Sequence, residues 1–240
     1  RFRPTVWAKW GEAQAINAGD ALFAAAHLAL LRSVDIGVDP AAVVDLVRGF
    51  EATTLEIVSG QVLDLQFEQR QDVHADEYIA MITGKTARIV EFAAGSGAWV
   101  GGADPDQAAH FAAFGLALGL GFQIHDDALG IFGLESETGK PAGDDLRRKK
   151  QSLPVLLLRD RGAPEAVAAL EAAYALDRPE DDQVANLIST MRALEIDTEM
   201  RDRVATYHEA AANELAATGL GSDRVAPLLD LLANLENRTV

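Results

Sequence analysis

Residues 108–124, AAHFAAFGLALGLGFQI, form the most apolar stretch of the chain and lead directly into Asp126 and Asp127. A helix this apolar all round must be buried whichever face is considered. The stretch is short for a membrane span and carries His110 and Gln123, so a core helix is expected here and no transmembrane segment. A core helix needs other helices to cover it. The remaining sequence supplies them, because Ala and Leu dominate and alternating β-branched runs are scarce. Helices are predicted near 7–33, 40–51, 53–70, 75–99, 106–132, 145–161, 164–175, 180–193, 197–218 and 222–236. The breaks carry turn chemistry. Pro40 suits the first turn of a helix, GGADPD (101–106) separates two long ones, and GLESETGKPAGD (133–144) reads as a loop. Ser222 or Asp223 can cap the last helix. The expected fold is all-α: a single domain over 1–240, with about ten helices around one core.

Charge and composition narrow the function. A net charge of −16 argues against general nucleic-acid binding, which needs a basic surface. The absence of cysteine rules out disulfides and thiolate metal sites, and it is compatible with a reducing cytosol, so a cytoplasmic location is expected. The opening RFRPTVWAKWGEAQ lacks the basic tip and apolar stretch of a signal peptide.

Within this acidic chain, FQIHDDALGIFGLESETGKPAGDDLRRKKQSLP (122–154) gathers Lys140, Arg147, Arg148, Lys149 and Lys150 just after the carboxylate pair. Gln123 precedes Asp126 by three residues and Asp127 by four, which puts all three on about one side of a helix. Two readings fit the aspartates. They can end a solvated helix, or they can hold magnesium, which takes one or two carboxylates together with waters and phosphate oxygens. The neighbouring cations favour the second, since they provide what a diphosphate needs. In MITGKTARI (81–89), Lys85 and Thr86 can meet a phosphate oxygen or sit on an exposed face. In SGQVLDLQFE (59–68), Gln61, Asp64 and Glu68 form a stripe that lines a polar cavity or faces solvent. Arg1 and Arg3, just ahead of Pro4-Thr5 and a helix, are phosphate ligands or a flexible basic end.

Taken together and in this order, these stretches resemble the trans-isoprenyl diphosphate synthases, the polyprenyl synthetase family. The resemblance runs from Arg1 to about Pro154. It implies an isoprenoid-synthase-type helical bundle around a central cavity and, as activity, a prenyltransferase: an allylic isoprenyl diphosphate is condensed with isopentenyl diphosphate. It also implies a Mg2+ cofactor and a homodimer. Asp126 and Asp127 match aspartates that hold magnesium on the allylic diphosphate. Lys85, Lys140 and Lys150 match lysines on that diphosphate, with Thr86 and Gln123 beside the reacting carbons. Arg1 matches the second of two arginines that bind isopentenyl diphosphate. Gly115, Gly119 and Gly121 either leave room for an isoprenoid tail or allow close helix packing. Two departures stand out. Gly130 replaces the third aspartate usual in this motif, and the family's first aspartate-rich motif is expected just upstream of Arg1, with several helices before it. Two other readings remain: a class I terpene cyclase, which ionises the same kind of substrate without condensation, and a non-catalytic partner subunit of a synthase. Arg1 and the basic cluster favour the transferase, because they suit two diphosphates rather than one.

Overall fold

The computed structural model describes residues 3–133 and 141–236, with no strand among them. The chain divides into two compact units, 1–52 and 53–240.

The first unit contains α1 (Val6–Trp10), α2 (Glu12–Leu31), a 3-10 turn (Arg32–Ile36) and the start of α3 (Pro40–Phe67). The single helix predicted over 7–33 is broken at Gly11, whose φ of 87° favours a residue without a Cβ. Neither α1 nor α2 buries a residue, and Trp7, Trp10, Ile16, Leu22 and Leu28 are exposed. Phe23, His27 and Phe50 form an aromatic cluster with ring centroids 4.5–5.9 Å apart. His27 is anchored there, with Nδ1 at the Phe23 carbonyl (2.8 Å) and Nε2 at Glu51.

Helix α3 runs unbroken through Ala52, where two helices were expected. Thr53 and Thr54 lower helix propensity slightly but are not breakers.

In the second unit, α4 (Ala75–Ile82) passes through a π-helical turn (Thr83–Ala87) into α5 (Arg88–Val100). The core helix α6 (Pro105–Phe132) follows. Its start is sharply defined: the Asp104 carboxylate accepts from the Gln107 N–H at 2.9 Å, the Gln107 side chain caps in return, and Pro105 takes the first turn. Among the described residues α6 is the one helix long and apolar enough to cross a membrane. It serves as the core helix, packed against α5 and α11 (Ile196–Ala217) and burying Phe114, Leu118, Ile124, Ile131 and Phe132. Its glycines settle one alternative in favour of close packing. A Cβ on Gly115 would lie 2.5 Å from the Val90 carbonyl oxygen, and one on Gly119 would lie 2.6 Å from Ala87 Cα. Gly121 meets His208. These positions are occupied by helix backbones and side chains and leave no room there for a tail.

The remaining helices are α7 (Asp144–Arg147), α8 (Leu153–Arg161), α9 (Pro164–Ala175), α10 (Asp181–Ala193), α11 and α12 (Ser222–Glu236). Here the predicted helix 145–161 is corrected to two pieces. Lys149 adopts a left-handed φ of 56°, and Pro154 sits in the first turn of a new helix, where its missing N–H costs nothing; inside one continuous helix it would break the ladder.

Candidate functional site

Four segments of the second unit converge on one small cleft of about 30 Å³, lined by Asp64, Met81, Ile82, Lys85, Gln123, Asp127, Lys150, Gln151 and Ser152. Asp64 comes from α3, Lys85 from the π turn, Gln123 and Asp127 from α6, and Lys150 from the turn between α7 and α8.

Lys85 reaches the cleft because two helices touch backbone to backbone. A Cβ on Gly60 would lie 2.3 Å from the Lys85 nitrogen and 2.8 Å from the Met81 oxygen. Gly84 faces it, with a Cβ position 2.9 Å from the Glu56 oxygen. In the π turn the Arg88 N–H bonds the Thr83 carbonyl, five residues back, a widening often found at functional sites. Adjacent residues in such a turn face different neighbours. The Lys85 ammonium donates to Asp64 Oδ2 at 2.5 Å, and the Thr86 hydroxyl donates to Gln123 Oε1 at 2.8 Å. The stripe on α3 thus resolves residue by residue: Asp64 lines the cleft, whereas Gln61 and Glu68 are exposed.

The chain of bonds continues from Gln123, whose Nε2 donates to Asp127 Oδ1 at 3.0 Å. The buried Tyr78 hydroxyl donates to Asp127 Oδ2 at 2.8 Å. Asp127 is 5% exposed. Burial, and next the repulsion of Asp145, push its carboxyl up to about 6, against the pull of Tyr78, Gln123 and Lys150. Tyr78 is pushed well above its ordinary range by burial and then by Asp127. Burial pulls Lys150 down, but Asp145 and Asp127 outweigh it and hold the ammonium charged.

The two aspartates therefore differ. Both oxygens of Asp127 accept hydrogen bonds from the protein. Asp126 is half-buried and does not line the cleft. No group of three or more His, Asp or Glu side chains among the described residues is arranged to hold a metal by itself. Magnesium needs no such cage, since it keeps several waters and takes one or two carboxylates. Asp126, with a partly exposed carboxylate, fits that role better than Asp127.

The basic run is mostly committed elsewhere. Arg147 pairs with Asp181 at 2.8 Å, Arg148 lies 3.9 Å from Asp144, and Lys149 donates to the Leu176 carbonyl at 2.6 Å. Lys150 is the member of that run that lines the cleft. Arg1 and Lys140 lie outside the described residues. Sequence reasoning missed Tyr78 and Asp145. Tyr78 is 49 residues from Asp127 and shares no helical spacing with it, while Asp145 stood in view inside GDDL without an assigned role.

The raised carboxyl of Asp127 gives a testable pH dependence in the metal-free protein. The unfolded chain ionises near the ordinary 3.8 and the folded one near 6, so this group favours folding most below pH 4 and loses that advantage as pH rises to about 6. Asp127→Asn removes the cost of the buried charge, but it offers one acceptor oxygen where the carboxylate offers two, so one of the bonds donated by Tyr78 and Gln123 is lost at every pH. Between pH 4 and 6 the variant is expected to gain on the native protein by on the order of 2–3 kcal/mol, on top of a pH-independent cost for the lost bond. Denaturant melts in chelator between pH 4 and 8 should show the gap opening up to about pH 6 and then levelling; parallel curves would disprove it.

The polyprenyl synthetase family profile matches residues 1–191. A (2E,6E)-farnesyl diphosphate synthase of Mycobacterium tuberculosis is 43% identical over 155 residues, which is 65% of this chain and 42% of that protein. The matched stretch is thus under half the length of that curated relative. The crystal structure of a geranylgeranyl pyrophosphate synthetase from Pyrococcus horikoshii superposes with a TM-score of 0.91 at 26% identity, covering 100% of this chain and 71% of that one. A geranylgeranyl pyrophosphate synthase from Corynebacterium glutamicum, complexed with isoprenyl diphosphate and magnesium, superposes with a TM-score of 0.84 at 25% identity, covering 99% and 66%.

Proposed function

The chain belongs to the polyprenyl synthetase family, and we propose that the full protein is a trans-prenyltransferase that condenses isopentenyl diphosphate with an allylic isoprenyl diphosphate. The observation that carries this reading is the convergence of Lys85, the Thr86–Gln123 pair, Asp127 and Lys150 on one cleft.

In this reading Lys85 and Lys150 hold the allylic diphosphate as point charges, with Lys140 as a third and Arg1 on the isopentenyl diphosphate. Asp126 would hold Mg2+, an ion with which the related Corynebacterium synthase is complexed. That ion, when bound, would neutralise charge on the departing diphosphate. The carbon–oxygen bond breaks with its electron pair on the diphosphate, and the alkene of isopentenyl diphosphate supplies the pair for the new carbon–carbon bond. A proton is then lost. The Thr86 and Gln123 dipoles lie beside the reacting carbons, and Met81 and Ile82 help keep water from the cation. Asp127 acts from behind by holding Gln123 in place. The reading includes a homodimer and a cytoplasmic location, both drawn from the family. The exposed apolar residues of α1 and α2 support the dimer, and sedimentation showing only a ~26 kDa monomer would exclude it.

The test is initial-rate condensation by the full protein with both diphosphates and magnesium, with the products separated by chain length. A longer prenyl diphosphate and released diphosphate are expected. Hydrocarbon formed without use of isopentenyl diphosphate would instead indicate a cyclase. No turnover alone, but stimulation of a second synthase, would indicate a partner subunit.

A further inference from the structure

The residue four positions after Asp126 and three after Asp127 projects to the same side of α6. It is Gly130, and the space its side chain would fill is taken by a carboxylate from another helix. A Cβ at 130 would lie 2.3 Å from Asp145 Oδ2, 2.6 Å from its Cγ and 3.2 Å from its Oδ1. Asp145, on α7, is 3% exposed. Its Oδ1 lies 3.2 Å from the Lys150 ammonium. The backbone closes the same loop, since the Lys150 N–H donates to the Asp145 carbonyl at 3.0 Å. The left-handed Lys149 makes that turn. Glycine inside a helix costs about 1 kcal/mol relative to alanine, so its place here calls for a reason, and the seated carboxylate supplies one.

We propose that Gly130 is a positioning residue: its missing side chain seats the Asp145 carboxylate against α6, and that carboxylate holds the Lys150 ammonium at the cleft. The site thereby receives from α7 a carboxylate that α6 itself does not carry at position 130. That Lys150 then meets a diphosphate rests on the function proposed above; that Asp145 holds it does not.

The atoms a new Cβ would strike are the end of a side chain, not a backbone. In Gly130→Ala the helices can therefore stay in place while the Asp145 carboxylate rotates away and releases Lys150. The effect belongs at one amine rather than in the whole fold, which makes it separable from a loss of structure.

The measurement is the rate of acylation of individual lysines in the full protein by acetic anhydride, read by mass spectrometry. In Gly130→Ala, Lys150 is expected to label about fivefold faster, the scale of one weak ion pair lost, with Lys85 unchanged. Asp145→Asn, which leaves Gly130 intact, is expected to do the same and provides the test should Gly130→Ala fold poorly. Gly130→Asp combined with Asp145→Gly returns a carboxylate from α6 and is expected to bring Lys150 back to near the native rate. Native labelling of Lys150 in both single variants would overturn the inference, as would equal acceleration of Lys85, which would signal general loosening. Adding magnesium and inorganic diphosphate to the native protein forms a separate arm. Protection of Lys150 and Lys85 there supports the proposed function, and no protection counts against that function while leaving the Gly130–Asp145 result to stand or fall by itself.

Discussion

Asp126→Ala is expected to lower condensation by about a hundred- to a thousand-fold, ~3–4 kcal/mol of transition-state stabilisation, while the melting temperature of the metal-free protein hardly moves. On the proposed function, the size follows from removing one preorganised contact, through the metal Asp126 would hold, to a leaving group whose negative charge grows as the carbon–oxygen bond breaks. The small cost to the fold follows from the structure. Asp126 is half-buried and does not line the packed cleft, so its loss leaves the hydrogen-bonded chain from Thr86 to Tyr78 in place. The adjacent His125 gives the contrast. It is 4% exposed, so His125→Ala removes packed side-chain volume and its damage should track the melting temperature. Rates measured over a range of magnesium concentrations separate the two. The Asp126→Ala defect should shrink as magnesium rises, whereas the His125→Ala defect should not. If Asp126→Ala turns over at near-native rate, the metal assignment is wrong.

The all-α class was legible because a helix as apolar as α6 can only be a core helix, and the break GGADPD (101–106) placed its start within one residue of Pro105. The geometry of the candidate cleft was legible where chemistry and spacing coincide. Gln123 and Asp127 lie four apart on one helix, and they bond as that spacing predicts. Counting charges was misleading. The run 147–150 looks like a single cationic patch, but Arg147 and Lys149 are drawn away to Asp181 and the Leu176 carbonyl by a turn that no propensity reveals. Adjacent aspartates looked equivalent for a related reason. Only the tertiary position of Tyr78 shows that Asp127 is a buried acceptor and Asp126 is not. The π turn was equally hidden: TGKTA carries no sequence signal for it, and it lies where Gly60 of α3 is in close contact with the Lys85 backbone.

That contact leads to the second large effect. Gly60→Ala is expected to destabilise the protein by about 3 kcal/mol, at the upper end for overpacking, and to lower turnover in the part that remains folded. The new methyl group would meet the Lys85 nitrogen at 2.3 Å, the Met81 oxygen at 2.8 Å and the Gly84 carbon at 2.9 Å, all of them backbone atoms. No rotamer change relieves such a clash, so α3 and the π turn must separate. Separation carries Asp64 and Lys85 apart, because each sits on one of the two crossing segments. A displacement on the order of 1 Å at a positioning group can cost about a hundred-fold in rate. Gly97→Ala is the control: a Cβ there meets nothing within 4 Å, and alanine in mid-helix should raise stability by about 0.5–1 kcal/mol. Thermal melts and initial rates on the two variants decide the matter. If Gly60→Ala melts and turns over like the native protein, the close crossing of α3 with the π turn does not set the place of Lys85. If it loses stability but keeps its full rate per folded molecule, the crossing matters for the fold alone.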